Sequence, residues 1–341
     1  MIYQSVELHN VEEVRKGESS QGVRLQRVPE ELREKLNPGA QLRMLQPDNA
    51  EIRFLFDGLS CQVTLASEGQ TRLTVFFGDF DSRQRFVIGQ QPQTIEITRP
   101  AFLDKLPPEF REKMGFSPGV VRLILGGPQR DPVWFFSAQG KNIRPPEKND
   151  LPAWRYLAYG TSITHGFDAE GPHLTYVGQT ARLLGADLIN LGVGGAAHCE
   201  PELADYLANR SDWNFASLEL SVNMIGFDLK EFSRRVSYLV NRVASSKKER
   251  VVLCLTLYPF FLDFGIKPEG LEYKAEPEEY RQALREVVAQ CQLPNVHLVE
   301  GPELLTNISN LTADLIHPGD YGMVEIAKNL TARFQEFLKK D

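Results

Sequence analysis

The feature that most constrains the fold is a change of rhythm near residue 150. Between about residues 50 and 137, the apolar residues fall in short β-branched or aromatic runs: IRFLF (52–56), CQVTLA (61–66), TRLTVFF (71–77), RFVI (85–88), TIEIT (94–98), VVRLIL (120–125) and PVWFFS (132–137). Turn chemistry punctuates them, notably Asp57-Gly58, Gly69 and Gly126-Gly127-Pro128. Such runs, with few helical windows between them, predict an antiparallel sandwich or barrel. The first fifty residues show no clear period.

Beyond residue 150, the strand-like runs YLAYG (156–160), DLINLG (187–192), ASLELSV (216–222), VVLCLTLY (251–258) and VHLVE (296–300) alternate with helical windows. The helices are predicted at 174–184, 201–209, 229–245, 277–291 and 320–338. In the third of these, Leu229, Phe232, Val236, Leu239, Val240 and Val243 recur at spacings of three and four, which is one face of a helix. Strand–helix alternation predicts a parallel sheet with helices on both faces. The polar stretch 140–152, with Pro145 and Pro146 adjacent, reads as a crossing between two units. A chain of 341 residues is long for one core, and the predicted division is 1–145 and 146–341.

Composition excludes several classes. With 42% hydrophobic and 24% charged residues the chain is neither disordered nor fibrous. The 38 basic and 45 acidic residues leave a net charge of −7, so no general basic face invites nucleic acid. No run reaches the ~18 apolar residues of a membrane span, and the charged N-terminus is unlike a signal peptide; a cytoplasmic protein is expected. The four cysteines, Cys61, Cys199, Cys254 and Cys291, are scattered without a C-x-x-C pair, so neither a disulfide framework nor a structural zinc site is expected. The sequons at Asn307, Asn310 and Asn329 would matter only in a secreted protein.

In open parallel sheets ligands sit beyond the carboxyl ends of the strands, so the residues after each strand carry the candidates. After the first stands Gly160-Thr161-Ser162-Ile163-Thr164-His165-Gly166. A serine entering a tight turn there can expose its hydroxyl and present its own N–H, or simply cap a helix. After the second comes Asn190-Leu191-Gly192-Val193-Gly194-Gly195-Ala196-Ala197, whose glycines let N–H groups approach a ligand. Gly192, Gly194 and Ala197 also fit a dinucleotide G-x-G-x-x-A with Glu219 downstream, but His198-Cys199-Glu200-Pro201 intervenes before the helix. Behind the third strand stands Ser221-Val222-Asn223-Met224; the Asn223 amide can serve as an oxyanion donor or as an Asx-turn residue.

Near the C-terminus, Asp314 and His317 lie three apart in ADLIHPGD. That spacing can set a carboxylate against one imidazole nitrogen and leave the other facing a cleft. Pro318 keeps His317 extended, and Asp320 is a candidate N-cap for the last helix. His165 reads as an acyl-pocket residue or a surface-turn histidine. His198, Cys199 and Glu200 lack the second cluster a metal site needs. Tyr258-Pro259-Phe260-Phe261 would either wall the substrate cleft or form an apolar loop packed on the neighbouring domain.

Taken together and in this order, the serine, glycine, asparagine and D-x-x-H blocks resemble those of the GDSL/SGNH hydrolase superfamily of serine esterases. The resemblance spans nearly all of 155–330 and rests on short motifs. The family pattern is departed from in three of the blocks: Thr161 stands where Asp is usual, Gly194 where Ser is frequent, and S-V-N-M replaces G-x-N-D. The resemblance implies a three-layer α/β/α, flavodoxin-like fold. It implies Ser162, Asp314 and His317 as a catalytic triad and Ser162, Gly195 and Asn223 as an oxyanion hole, with no cofactor and no metal required. A β-rich unit ahead of such a domain is similar to certain carbohydrate esterases in which a jelly-roll precedes the catalytic unit. The expected substrate is a small ester, with an acylated sugar foremost; neither nucleic acid nor membrane is expected as a partner, and self-association into a homo-oligomer stays open. The alternatives are a lysophospholipase or thioesterase of the same superfamily, or a ligand-binding protein on a hydrolase scaffold.

Overall fold

The computed structural model describes residues 1–17, 22–111, 113–220 and 222–338. Ten antiparallel strands between Ile2 and Arg144 form two layers. The strand Glu51–Ser67 belongs to both. Its first residues pair with Glu7–His9 and Val121–Ile124, and its later ones with Gln93–Thr98 and Val133–Gln139. Leu8, Ile52, Phe54, Val63, Leu65, Leu73, Val75, Leu123 and Phe135 fill the space between the layers, giving the expected sandwich.

The expected turn at Asp57-Gly58 is instead a bend inside this long strand. Gly58 takes φ +106°, a value open to glycine that lets the chain leave one layer and enter the other. The polar residues 140–144 are likewise not connector. They finish the strand Val133–Arg144, with Lys141 opposite Asp57 and Arg144 opposite Leu55.

The second sheet has five parallel strands in the order Ala186–Gly192, Trp154–Gly160, Phe215–Glu219, Val251–Leu255, Val296–Val299. This is the flavodoxin-like order, in which the first strand marks the switch point. Alternate residues of each strand face opposite ways. Tyr156, Ala158, Phe215 and Leu253 pack with Val177, Ala181, Met323, Ile326 and Leu330 of helices Tyr176–Leu184 and Asp320–Phe337. Leu157, Tyr159, Ala216 and Val252 pack on the other side with helices Pro201–Asn209, Leu229–Ala244 and Pro277–Cys291. Both faces are covered, so the strands read as continuous apolar runs. The result is the expected three-layer α/β/α arrangement.

Residues 28–44 join the core of the parallel-sheet unit, through Val28, Leu32, Leu36, Ala40 and Met44. Arg27 is buried beside them and donates to the carbonyls of Gln46, Asn190, Gly192 and Arg43. Burial lowers its pKa to about 10, which still leaves a cation at neutral pH. A second buried link is Arg53, whose guanidinium meets Asp187 through two bonds of 2.8 and 2.6 Å. All four cysteines are free and buried. Among the described residues no helix is long and apolar enough to cross a membrane.

Candidate active site

Strand Trp154–Gly160 ends at the switch point, and Ser162 opens the single helical turn Ser162–His165 that follows. Thr161 caps this turn. The buried Glu219 carboxylate, at the end of the neighbouring strand, accepts from the Thr161 N–H and hydroxyl, both at 2.6 Å, and from the Thr164 hydroxyl at 3.1 Å. Burial raises the Glu219 pKa. A Cβ on Gly160 would lie 2.2 Å from Thr164 Oγ1 and 2.6 Å from Glu219 Oε2, so glycine is what permits this close packing under Ser162. Glu219 is thereby committed to the serine turn rather than to a ribose.

The loop before the last helix brings His317 to the same place. Ser162 Oγ lies 2.8 Å from His317 Nε2, and His317 Nδ1 lies 2.6 Å from Asp314 Oδ2. Asp314 also builds the loop, because its Oδ1 accepts from the Ile316 and His317 N–H groups and from the Thr312 hydroxyl. Leu315, between them, holds φ +57°, a strained value for a branched side chain; its carbonyl is tied down by the Phe261 N–H at 2.8 Å. Partial burial would raise the Asp314 pKa, but the hydrogen bond from the His317 ring and those from the backbone outweigh it and hold the carboxyl at about 2. The imidazole therefore faces a carboxylate on one side and a hydroxyl on the other.

Three donors near Ser162 are left without acceptors among the described residues. Among the described residues the N–H groups of Ser162 and Gly195 meet no acceptor. Asn223 accepts from the Ala197 N–H through Oδ1 at 3.2 Å, which leaves its Nδ2 as a donor without a partner among the described residues. Gly195 is exposed and takes φ +72°, which a glycine adopts without strain. Asn223 sits in the turn Val222–Met224; Ser221, before it, lies outside the described residues.

Other sequence candidates are placed differently from expectation. His165 neither lines an open pocket nor sits on a surface turn: it is fully buried, with Nδ1 accepting from the Gly194 N–H at 3.1 Å and Nε2 lying 2.8 Å from Asp48 Oδ2. Burial lowers its pKa to about 4, so the ring is neutral. Asp320 is not the cap of the last helix. That position is Gly319, and the Asp320 carboxylate instead accepts from the Glu170 N–H at 3.0 Å. Tyr258 and Phe260 are buried, on opposite faces of the sheet, and His198 packs edge-on against Phe227.

Two residues had no signal in the sequence. Phe167 stacks on His317 with centroids 5.9 Å apart, and Asp168 Oδ2 lies 3.4 Å from His317 Nδ1. Phe167 also explains Gly194, since a Cβ there would come within 2.6 Å of its ring. Asp168, Asp314 and His317 place ligand atoms within 4.8 Å of one another, and a cation held by them would compete with the Asp314–His317 bond.

Residues 155–335 match the model of the GDSL-like Lipase/Acylhydrolase family. The chain belongs to this family. It is thus an ester hydrolase of the SGNH type, with its α/β/α unit preceded by a sandwich. No curated protein matches the sequence. Solved structures similar to this family member include the salicylyl-acyltransferase SsfX3 of a tetracycline biosynthetic pathway, 15% identical, with 97% of this chain and 94% of that one covered and a TM-score of 0.70. A GDSL-like lipase from Bacteroides ovatus is 16% identical, covers 92% and 91%, and scores 0.65. A family two carbohydrate esterase from Clostridium thermocellum, solved with cellohexaose, is 17% identical, covers 85% and 92%, and scores 0.59. At these identities the likeness is one of fold.

Proposed function

We propose that this GDSL-family hydrolase is a serine esterase that cleaves a small acyl ester, an acetyl group on a carbohydrate foremost, through Ser162, His317 and Asp314. The carrying observation is the chain of contacts Ser162 Oγ to His317 Nε2 at 2.8 Å and His317 Nδ1 to Asp314 Oδ2 at 2.6 Å. A carboxylate on Nδ1 fixes the tautomer whose Nε2 lone pair faces the hydroxyl, and it stabilises the imidazolium that forms.

The steps follow. Ser162 Oγ bonds to the ester carbon while its proton passes to His317 Nε2, and the carbonyl π pair moves onto oxygen. The Ser162 and Gly195 N–H groups and the Asn223 amide meet that oxyanion, each donor worth about 3 kcal/mol in the transition state. Collapse re-forms the carbonyl and breaks the bond to the alcohol, which takes the proton from Nε2 as it leaves. Water then adds to the acyl-serine with His317 again as base, releasing the acid and restoring Ser162.

The acetyl-sugar assignment is supported by the carbohydrate esterase among the structures of similar fold. A second reading, transfer of the acyl group to an alcohol in place of water, is favoured by the acyltransferase whose fold this chain follows over 97% of its length. Hydrolysis of an activated acetyl ester by wild type, Ser162→Ala and His317→Ala tests the mechanism. Either substitution should lower turnover by roughly 10⁴- to 10⁶-fold; equal rates in all three proteins reject it. Faster cleavage of long-chain thioesters than of acetylated sugars would exclude the deacetylase, and net acyl transfer with an added alcohol at unchanged water activity would favour the transferase.

A further inference from the structure

We propose that Arg43, contributed by the N-terminal segment, is a positioning residue that aims the Gly195 N–H at the oxyanion. This rests on the serine-esterase assignment above. Arg43 ends the helix Pro38–Arg43, and its Nε donates to the Gly194 carbonyl at 3.0 Å. That carbonyl and the Gly195 N–H belong to one peptide group, and the chain contains no cis bonds among its described residues. In a trans peptide the C=O and N–H point in opposite directions. Holding the oxygen therefore fixes the N–H on the side away from Arg43, where it meets no acceptor among the described residues.

Two successive glycines would otherwise let this peptide rotate at little cost, because neither has a Cβ to restrict it. The preceding peptide is held as well, by the bond from the Gly194 N–H to His165 Nδ1 at 3.1 Å. Gly194 is thus gripped on both sides, within a turn closed by the bond from the Ala196 N–H to the Val193 carbonyl at 3.1 Å, and Arg43 holds the central peptide of that turn. A cationic donor on a carbonyl also polarises the amide and strengthens its N–H as a donor.

Arg43 is itself anchored. Its carbonyl accepts from Arg27 Nη2 at 2.6 Å, and its Nη1 donates to Gln46 Oε1 at 3.2 Å. Its guanidinium carbon lies 5.2 Å from the centre of the Phe167 ring, the ring that stacks on His317. The N-terminal segment thereby reaches the loop that carries one oxyanion donor and the ring that supports the base.

The test compares wild type, Arg43→Met and Arg43→Lys in full-length protein, with kcat and KM for an activated acetyl ester and the affinity for a trifluoromethyl ketone. Arg43→Met should lower kcat by roughly 10- to 100-fold, less than loss of a whole oxyanion donor. KM should stay within about twofold, and ketone affinity should fall in step with kcat. Arg43→Lys, which keeps a cationic donor, should recover part of the loss, and it carries the test if the methionine variant does not fold. A raised KM with unchanged kcat, or unchanged ketone affinity per folded molecule, overturns the positioning role. Wild type that hydrolyses no faster than Ser162→Ala overturns the esterase assignment itself, whereas Ser162-dependent turnover with kcat intact in Arg43→Met removes Arg43 alone.

Discussion

Asp168 Oδ2 lies 3.4 Å from His317 Nδ1, the same nitrogen that Asp314 Oδ2 approaches at 2.6 Å, so two carboxylates from separate loops face one imidazole edge. They are not equivalent. Asp314 is fixed by two backbone N–H groups and a hydroxyl on its other oxygen, whereas the Asp168 carboxylate, about as exposed at 46% against 42%, has no such anchor among the described residues.

Asp314→Asn should therefore lower kcat by roughly 10³- to 10⁴-fold through loss of the correct tautomer. Asp168→Asn should cost less than about tenfold, because a solvated charge at that distance is screened. Steady-state kinetics on the two single variants and the double variant decide it. A larger loss in Asp168→Asn would exchange the roles of the two acids.

The buried pair Arg53–Asp187 joins the sandwich to the start of the second parallel strand, and both side chains are at most 1% exposed. Asp187→Ala leaves Arg53 with Glu51 at 2.7 Å and Glu7 at 3.6 Å but strips away its bidentate partner. Breaking a buried pair on one side costs about 3 to 5 kcal/mol; the two remaining glutamates place the expected loss near the lower end. Urea unfolding of the variant measures it, and a loss under about 1 kcal/mol would show that the network contributes little.

Acid should destabilise the protein through His165. Its pKa is lowered by burial from 6.5 to about 4, so the unfolded chain binds the proton more readily. Stability is then complete above about pH 6.5 and declines as pH falls toward 4, at about 1.4 kcal/mol per pH unit for one such group. His9 is also buried, with its pKa lowered by desolvation and by Arg53, and adds in the same direction. Thermal melts from pH 7 to 4 should fall less steeply in His165→Asn than in wild type. Parallel slopes in the two proteins would contradict the assignment.

Much of the fold was legible because its signals are local. The helices at 201–209 and 277–291 follow from periodic apolar residues, and the five parallel strands from runs bounded by polar turns. The merging of 52–56 with 61–66 was hidden because Asp57-Gly58 is turn chemistry whether a chain reverses or bends between layers. Residues 28–44 form helices of four and six residues, too short to display a period. At the site, Ser162, Asp314 and His317 were found as motifs, and they meet. Asp168 and Phe167 were not, because a single acid or ring in a loop has no pattern until tertiary structure sets it against His317. His165 and Arg43 were missed or misread for the same reason: their partners Asp48 and Gly194 lie more than a hundred residues away in the chain.

The most direct test of the central claim is peptide mapping by mass spectrometry after exposure to a fluorophosphonate, which modifies only a hydroxyl activated as a nucleophile. One adduct per chain is expected, on Ser162, absent from Ser162→Ala and formed far more slowly in His317→Ala. An unmodified wild-type chain, or an adduct on another residue, would contradict it.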